Sequence, residues 1–445
     1  MMDHEDGGSH AMSSDAGSPP RGAGLPAGAR KMSLGDRREA ARDVFGVSPE
    51  DWYATGGSPD VMEISDIMIE TAIGCAPIPL GIADGFLIDG EEVSIPMAVE
   101  EPSVIAAASF AARLVGRDGG FTTWAAEPLM RAQIFLENVD AAGEARLGRC
   151  GDSVRAALAP SLRSMARRGG GYRGLSVARL PETGAVRVEV TIDVRDAMGA
   201  NLLNTAAELI RPLLENESGG KSLIAILTND ARERLASASF ALPVDRLSTG
   251  LPAGMGAAEA ARRIVAASAI AQEDPGRAVT HNKGIMNGIS SLGLATMNDT
   301  RALEAAAHAW AARSGRYRGL SQFTEEDGML RGQLTLPLAL ATVGGAVGFH
   351  PASRASLKIL GNPNAQRLAR IAAALGLAQN FAALRALVTS GIQHGHMRFH
   401  AARLAWNAGA RGEEARRVAT ALADAGIMDD AAVVAALRRV REEQP

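Results

Sequence analysis

Cysteine is scarce in this chain of 445 residues, and strong net charge is missing. Two cysteines, Cys75 and Cys150, cannot form a disulfide framework, and neither has neighbours at metal-ligand spacing. We therefore expect a reducing compartment, the cytoplasm, and no bound metal. A formal net charge of -4 excludes the strongly basic surface that is typical of nucleic-acid-binding proteins.

A long uninterrupted apolar segment is also missing. The most apolar stretch, residues 336–349, is broken by Pro337 and three glycines and is too short to span a bilayer. Residues 1–33 are rich in Gly, Ser, Pro and Ala and contain no apolar segment of a signal peptide, so we expect a disordered leader. We expect a soluble protein of more than one domain, with no membrane partner.

Lysine is rare as well, with four lysines among 46 basic residues. One of them, Lys283, lies in the polar, glycine-punctuated segment THNKGIMNGI (280–289). An ammonium group can shift its pKa and donate a proton, whereas a guanidinium essentially cannot. The segment is predicted to be enclosed and Lys283 to be functional. The alternative is a surface lysine in a helix-capping loop.

Residues 75–116 change from a strand pattern to a helix pattern. The first part alternates like strands, with Asp-Gly pairs at 84–85 and 89–90 that predict turns. Pro102 and Ser103 then predict the start of an Ala-rich helix that is buried on most sides. Glu101 at the mouth of this helix either complements the helix dipole or is a buried acid that points into a cleft.

Residues 128–230 read as strand, helix, strand, strand, helix, strand, the alternation of a small α+β domain. Glycines at 169, 171 and 174 match G-x-G-x-x-G, but a helix precedes them and a strand follows, so a Rossmann fingerprint is rejected. A better anion site is DAMGANLLNT (196–205), where a strand turns into a helix. Free N–H groups in the first helical turn could receive a pyrophosphate, although capping alone also explains Asp and Gly there.

Three of the eight histidines lie close together near the C-terminus, at His394, His396 and His400. No nearby Cys or acidic residue completes a zinc site. The glycines at 391 and 395 indicate a mobile segment that carries one acid/base histidine, His396. A surface histidine in a capping turn is the alternative.

Eight strings, in this order, resemble those of the hydroxymethylglutaryl-coenzyme A reductase family, in its soluble bacterial class II form. They are ETAIG (70–74), VEEPSVIAAAS (99–109), TIDVRDAMGANLLNT (191–205), THNKGIMNGI (280–289), ATMNDTRALEAAAHA (295–309), VGGAVGFHP (343–351), SLKILG (356–361) and GHMRFHAARLA (395–405). Any one string is unremarkable, but the ordered set is specific and covers most of the chain after residue 34.

The resemblance implies an α+β fold. A large domain (34–127 and 231–392) surrounds a central buried helix, and a small ferredoxin-like, non-Rossmann nucleotide-binding domain (128–230) is inserted into it. Residues 393–445 would form a helical C-terminal flap. The family implies a homodimer or a higher assembly of dimers, with active sites at the subunit interface.

The implied reaction is the two-step, four-electron reduction of 3-hydroxy-3-methylglutaryl-CoA to mevalonate and coenzyme A, in isoprenoid precursor metabolism. Glu101 would be kept protonated by burial, with Asp299 nearby and hydrogen-bonded to both Glu101 and Lys283. The residues that match the family's catalytic positions are Glu101, Lys283, Asp299 and His396. Those that match its substrate-binding positions are Ser103, Arg277 and Asn287. Those that match its dinucleotide-binding positions are Asp196, Met198, Gly199 and Asn201.

The cofactor is expected to be NADPH, with NADH as the alternative. NADH-using members of the family carry an acidic residue shortly before the triple glycine. Here that stretch reads SLRSMARRGGG (161–171), with Leu162 and Ser164 where the acid and its neighbours would be. Arg163 and Arg167 close by favour a 2′-phosphate.

Three other functions remain open. The same enzyme could run in the oxidative direction for mevalonate catabolism, and a catalytically silent homologue could merely bind acyl-CoA or nucleotide. Because all four catalytic positions are retained, a catalytically inactive homologue is disfavoured. An acyl-CoA transferase is disfavoured, because neither cysteine has a neighbouring histidine to activate it.

Overall fold

The computed structural model describes residues 59–389, 401–425 and 429–442, together with isolated positions between 32 and 43. Nearly all of the predicted leader lies outside the described residues. The same holds for the three C-terminal histidines His394, His396 and His400.

The described residues up to Ile78 belong to a compact unit that is separate from the rest of the chain. Its described part contains helix α1 (Pro59–Met68) and the segment that follows. The Ser65 hydroxyl lies 2.8 Å from the Cys75 thiol. The remaining residues, from Pro79 onward, form the second unit.

The second unit begins with an antiparallel hairpin of β1 (Leu80–Ile88) and β2 (Glu91–Ala98). The Asp-Gly pair at 89–90 forms its turn, as predicted. The pair at 84–85 does not form a turn. It lies inside β1, where the register shifts and Gly85 has a φ of 86°, so this glycine permits a β-bulge.

The hairpin is followed by helix α2 (Val104–Gly116) and the short strand β3 (Thr122–Ala125). The predicted Ala-rich helix is therefore present. Its inner face is buried through Ala108, Ala111 and Ala112. Ser103 is its N-cap residue and has a left-handed backbone, with a φ of 70°.

Residues 129–227 have the predicted alternation of strands and helices. The elements are β4 (Leu129–Glu137), α3 (Ala141–Leu147), α4 (Gly151–Leu158), α5 (Arg163–Arg167), β5 (Gly171–Arg179), β6 (Val186–Asp193), α6 (Ala200–Ser218) and β7 (Lys221–Leu227). The strands form an antiparallel sheet in the order β5-β6-β4-β7. A strand follows the triple glycine, which confirms the rejection of the Rossmann fingerprint.

A second four-stranded sheet is built largely from the chain after residue 234. The remaining elements are β8 (Leu235–Pro243), α7 (Ala257–Glu273), α8 (Pro275–Ala295), α9 (Thr300–Ala311), β9 (Ser321–Glu326), β10 (Met329–Pro337), α10 (Gly345–Phe349), α11 (Pro351–Ile359) and α12 (Ala365–Val388). The antiparallel strand order is β3-β8-β10-β9.

Helix α12 is the core helix of this region. It has 24 residues, and by length and apolar composition it could cross a membrane, but 78% of its most apolar window is buried inside the protein. It packs against α8, α2 and β8. At Gly376 a Cβ would come within 2.7 Å of the Ile289 side chain, so the missing side chain lets α8 and α12 approach closely.

The described C-terminal residues are helical. Residues 401–407 form a helical segment, followed by α13 (Gly412–Ala425) and α14 (Asp430–Glu442). They share a small hydrophobic core that includes Ala405, Val418 and Leu437. The fold as a whole mixes α-helices with antiparallel sheets.

Candidate functional site

An ion pair between Lys283 and Glu101 joins α8 to the loop before α2. Helix α8 starts at Asp274, whose carboxylate accepts the backbone N–H of Arg277 at 2.6 Å, and Pro275 occupies its first turn. Lys283 lies in the middle of this helix. Its Nζ donates to Glu101 Oε2 at 2.7 Å. Two residues that the sequence places 182 positions apart therefore meet.

The pair is partly exposed. In the single chain the Lys283 side chain is 59% exposed and that of Glu101 is 38% exposed, so this chain alone does not enclose them, and their predicted burial at an interface stays a prediction. The reason is helical phase. The polar string 280–289 lies within a continuous helix, so its polar side chains divide between two faces, with His281 and Asn282 buried and Lys283 on the outer face.

The three predicted substrate-binding residues lie at different positions relative to the ion pair. Asn287 is half-buried and lies one turn after Lys283, on the same stripe of α8. Ser103 follows Glu101 by two residues. It has a left-handed backbone, and its hydroxyl makes no capping bond to α2. Arg277 is half-buried on the same helix, but six residues place it about 120° away from the Lys283 stripe.

The inner face of α8 carries a buried polar network that the sequence does not predict. His281 is 1% exposed, and its Nε2 lies 2.6 Å from the Ser321 hydroxyl, which donates to Asn380 Oδ1 at 2.7 Å. Since the Ser321 proton is used in that bond, His281 Nε2 carries the donating proton. Burial, with the nearby Arg277 guanidinium, lowers the pKa of His281 to about 4. This histidine is therefore neutral at physiological pH.

Asp299 lies away from the ion pair of its own chain. It caps α9, where its carboxylate accepts the N–H groups of Arg301 at 3.0 Å and Ala302 at 3.1 Å. The Asn298 N–H donates to the carbonyl of Gly293 at 2.8 Å, which places this turn at the far end of α8. Lys283 and Gly293 are ten residues apart, so the turn lies about 15 Å along the helix axis. The lysine side chain also leans toward the N-terminus, away from Asp299.

Asp299 instead lines a cavity of about 330 Å³ together with three of the predicted dinucleotide-binding residues, Met198, Gly199 and Asn201. Helix α6 begins in this cavity, with Gly199 as its N-cap at a φ of 91°. A Cβ at Gly199 would come within 2.6 Å of Val194. The strand-to-helix turn therefore requires glycine for both conformation and space.

The segment 341–347, which runs into α10, also lines this cavity, although its sequence predicts no role for it. The side chain of Asn298 is bonded to this segment through the N–H of Ala341 at 2.7 Å and its carbonyl at 3.1 Å. Further along this segment, Gly344 and Gly345 both have a positive φ and also line the cavity. The string VGGAVGFHP was the available signal, because a Gly-Gly pair indicates a turn with positive φ and room for close backbone approach.

Two sets of predicted dinucleotide-binding residues lie outside the cavity lining. The carboxylate of Asp196 accepts the N–H of Ala365 at 2.9 Å, so Asp196 joins the 196–199 turn to the start of α12. Arg163 and Arg167 are exposed on α5, and the residues described here include no carboxylate paired with either. Their contacts with a cofactor stay predictions. Within the same described ranges, no three His, Cys, Asp or Glu side chains group as a metal site.

Comparison with known proteins gives consistent matches over nearly the whole chain. A sequence model of the family described as hydroxymethylglutaryl-coenzyme A reductase matches residues 33–401. The 3-hydroxy-3-methylglutaryl-coenzyme A reductase of Archaeoglobus fulgidus is 44% identical over 397 residues, which cover 87% of this chain and 88% of that protein. The probable reductase of Borreliella burgdorferi is 38% identical over 371 residues, covering 83% and 84%. The class II reductase of Streptococcus pneumoniae, solved bound to NADPH in open conformations, is 36% identical with a TM-score of 0.71, covering 92% and 100%.

Proposed function

Because this chain belongs to the hydroxymethylglutaryl-coenzyme A reductase family, we infer that it reduces 3-hydroxy-3-methylglutaryl-CoA to mevalonate and coenzyme A with NADPH. It is an oxidoreductase of the class II form. The observation in this chain that carries the inference is the ion pair between Lys283 and Glu101. It brings a proton-bearing cation and a carboxyl group to one point, as reduction of a carbonyl requires.

Lys283 supports both reduction steps. Each hydride that reaches the carbonyl carbon places negative charge on the carbonyl oxygen, and a fixed ammonium beside that oxygen stabilises the charge. One preorganised donor of this kind typically contributes about 10²–10³ in rate. Glu101, hydrogen-bonded to the same ammonium, is the group that gives a proton to the aldehyde oxygen in the second step.

The substrate's acyl end is proposed to lie along α8 and the Ser103 loop. Arg277 has the planar fork that suits the free carboxylate of the hydroxymethylglutaryl group. Ser103 and Asn287 would hydrogen-bond the same group. His396, which lies outside the described residues, is proposed to protonate the departing coenzyme A thiolate, since its unperturbed pKa is close to neutral pH.

The cavity at the start of α6 fits part of a dinucleotide. The first-turn N–H groups of this 19-residue helix have no helical partners and favour an anion such as the pyrophosphate. Met198, Gly199 and Asn201 would hold it, while Asp196 keeps the turn in place. The bound cofactor supplies the hydride. Arg163 and Arg167 are proposed to meet the 2′-phosphate of NADPH.

We propose that the complete site forms between two copies of the chain. Asp299 cannot reach Lys283 of its own chain across about 15 Å of helix, so a second copy would supply it. The Lys283 stripe also carries an exposed apolar residue one turn earlier, Val279, at 53% exposure. If a second copy covered this face, it would remove water from Lys283 and Glu101 and bring Asp299 to them, as the predicted cluster requires.

The finer fold assignment is also a proposal. Two separate hydrophobic cores support a large domain (34–127 and 231–392) with a central helix, and an inserted nucleotide-binding domain (128–230). The third small core supports a helical flap (393–445). A soluble enzyme in the cytoplasm fits the burial of α12.

The activity is tested by following the loss of reduced-nicotinamide absorbance with hydroxymethylglutaryl-CoA. Wild-type protein should oxidise NADPH only when the thioester is present, and Lys283→Ala should lose turnover while it still binds the substrate. Flat traces from the wild-type protein with both NADPH and NADH would remove the proposal.

The shared site is tested by complementation. Lys283→Ala and Asp299→Ala proteins should each be inactive, but co-expression should restore about a quarter of wild-type activity, because half of the dimers would be mixed and each mixed dimer has one intact site. A site contained within one chain would give no restoration.

A further inference from the structure

Arg234 is a buried cation that has no role in the proposed reduction. It lies directly before β8 and is 4% exposed. Its backbone carbonyl accepts the N–H of Leu338 at 2.9 Å, which ties it to the end of β10. Its side chain is hydrogen-bonded to the backbone of two segments that contribute to the cavity at the start of α6.

The two terminal nitrogens of Arg234 bind the two chain segments that meet at that cavity. Nη1 donates to the carbonyl of Ala197 at 3.2 Å, and Nη2 donates to the carbonyl of Leu340 at 2.6 Å. The same segments are also joined directly, because the Thr342 N–H donates to the carbonyl of Asp196 at 2.9 Å and Ala197 forms a β-bridge with Val343. One rigid guanidinium therefore braces this junction from the inside.

Arg234 is buried without an ion-pair partner among the described residues. Arg131 provides the contrast, since it is 7% exposed but lies within 3.3 Å of carboxylate oxygens of Glu189, Asp230 and Glu233. Burial lowers the pKa of Arg234 to about 10, so it stays charged at neutral pH. The carboxylates of Asp193 and Asp196 favour the charged form from a greater distance, and a bound anion would favour it further.

An anion site lies on the side of the cavity that Arg234 supports. Helix α6 points its N-terminus into the cavity from the wall that contains Ala197. We propose that Arg234 is a positioning residue for the cofactor: it braces the 197–201 turn against the segment 341–347, and its charge favours the pyrophosphate. This inference rests on the proposed dinucleotide site.

The test measures nucleotide affinity directly. Arg234→Met should raise the Kd of NADPH and of ADP-ribose by about tenfold to a hundredfold, because it frees two carbonyls and removes the charge. The KM for hydroxymethylglutaryl-CoA should stay within about twofold of wild type. Arg234→Lys keeps the charge but not the fork, so it should raise both Kd values by an intermediate amount.

Arg131→Met is the matched control, since it removes an equally buried arginine that lines no part of the cavity. It should lower the melting temperature with little change in the Kd of NADPH. Equal loss of NADPH and hydroxymethylglutaryl-CoA binding in Arg234→Met, or the same rise in Kd in Arg131→Met, would overturn the inference.

Two further outcomes keep the test decisive. If Arg234→Met does not fold, Arg234→Lys decides, and wild-type Kd values for both nucleotides would then refute the positioning role. A wild-type protein that binds NADPH but reduces no thioester would refute the proposed reaction alone, because the effect of Arg234 on nucleotide binding could still be measured.

Discussion

Protonation of His281 should destabilise the folded protein, and the size of the effect follows from its surroundings. The imidazole is 1% exposed, its Nε2–H is used by Ser321, and its Nδ1 is buried without a hydrogen-bond partner among the described residues. A second proton would have to go on Nδ1, where it finds no acceptor, and would bring a charge into the core.

The magnitude comes from the difference between two pKa values. The pKa of His281 is about 4 in the folded protein, and an unfolded histidine has a pKa near 6.5. The unfolded state therefore takes up the proton first as pH falls. Stability from this residue is fully present above about pH 6.5 and is lost toward pH 4, by about 3 kcal/mol in all and about 2 kcal/mol by pH 5.

His281→Gln is the suitable perturbation, because the Gln amide can still donate to Ser321 but does not titrate in this range. Urea unfolding of both proteins would be followed by circular dichroism between pH 8 and pH 5. The remaining histidines are common to the two proteins, so the difference between the curves isolates His281. The wild-type free energy of unfolding should fall about 2 kcal/mol further than that of the variant.

Parallel curves for the two proteins would refute this reasoning. They would mean that the pKa of His281 is the same in the folded and unfolded states, as it would be if water reached Nδ1. A variant that is less stable by a constant amount at every pH would show lost packing without the predicted titration.

Three further predictions concern the reaction and its cofactor. Glu101→Gln should keep substrate binding but lower turnover of the full substrate by about 10²–10⁴, because Gln can accept the Lys283 hydrogen bond but cannot give a proton. Wild-type turnover would contradict the role proposed for Glu101. Gly199→Ala should abolish measurable NADPH binding in a fluorescence titration, because its Cβ meets Val194 at 2.6 Å, and an unchanged Kd would show that the turn is not used. Replacing Arg163 and Arg167 together with Ala should raise the KM for NADPH about tenfold and leave that for NADH unchanged, and equal effects on both cofactors would argue against a 2′-phosphate contact.

Secondary structure and the pairing of Lys283 with Glu101 could be anticipated from the sequence, because both depend on local patterns and a specific ordered set of strings. The alternation from β4 to β7 has clear periodicity, and the 196–199 turn joins a strand to a helix as its residues indicate. The Asp-Gly pair at 84–85 has the composition of a turn, yet it forms a bulge. Composition alone does not distinguish the two, because both need a residue with positive φ.

Burial was the property that the sequence predicted poorly. A polar string on a helix divides between inside and outside, and which residue lies where depends on what packs against each face. His281 and Asn282 are buried by β9 and α12, while Lys283, the next residue, faces outward. Arg234 shows the same limit in reverse. Its residue type predicts a surface position, but two backbone carbonyls accept its side-chain N–H groups, and the Asp193 and Asp196 carboxylates favour its charge in the interior.

Arg234 and Lys283 differ in whether their proposed functions need a second copy of the chain. The residues that line the proposed nucleotide cavity all belong to one chain, so each copy should bind NADPH without a partner. Lys283 is exposed and lies far from Asp299 of its own chain, so in the proposed dimer a second copy supplies Asp299 to the reactive cluster. Dilution that separates the copies should therefore abolish turnover before it weakens NADPH binding. Ultracentrifugation, activity and NADPH fluorescence over one concentration series would reveal that order, and simultaneous loss of both properties would show that the cavity also depends on the interface.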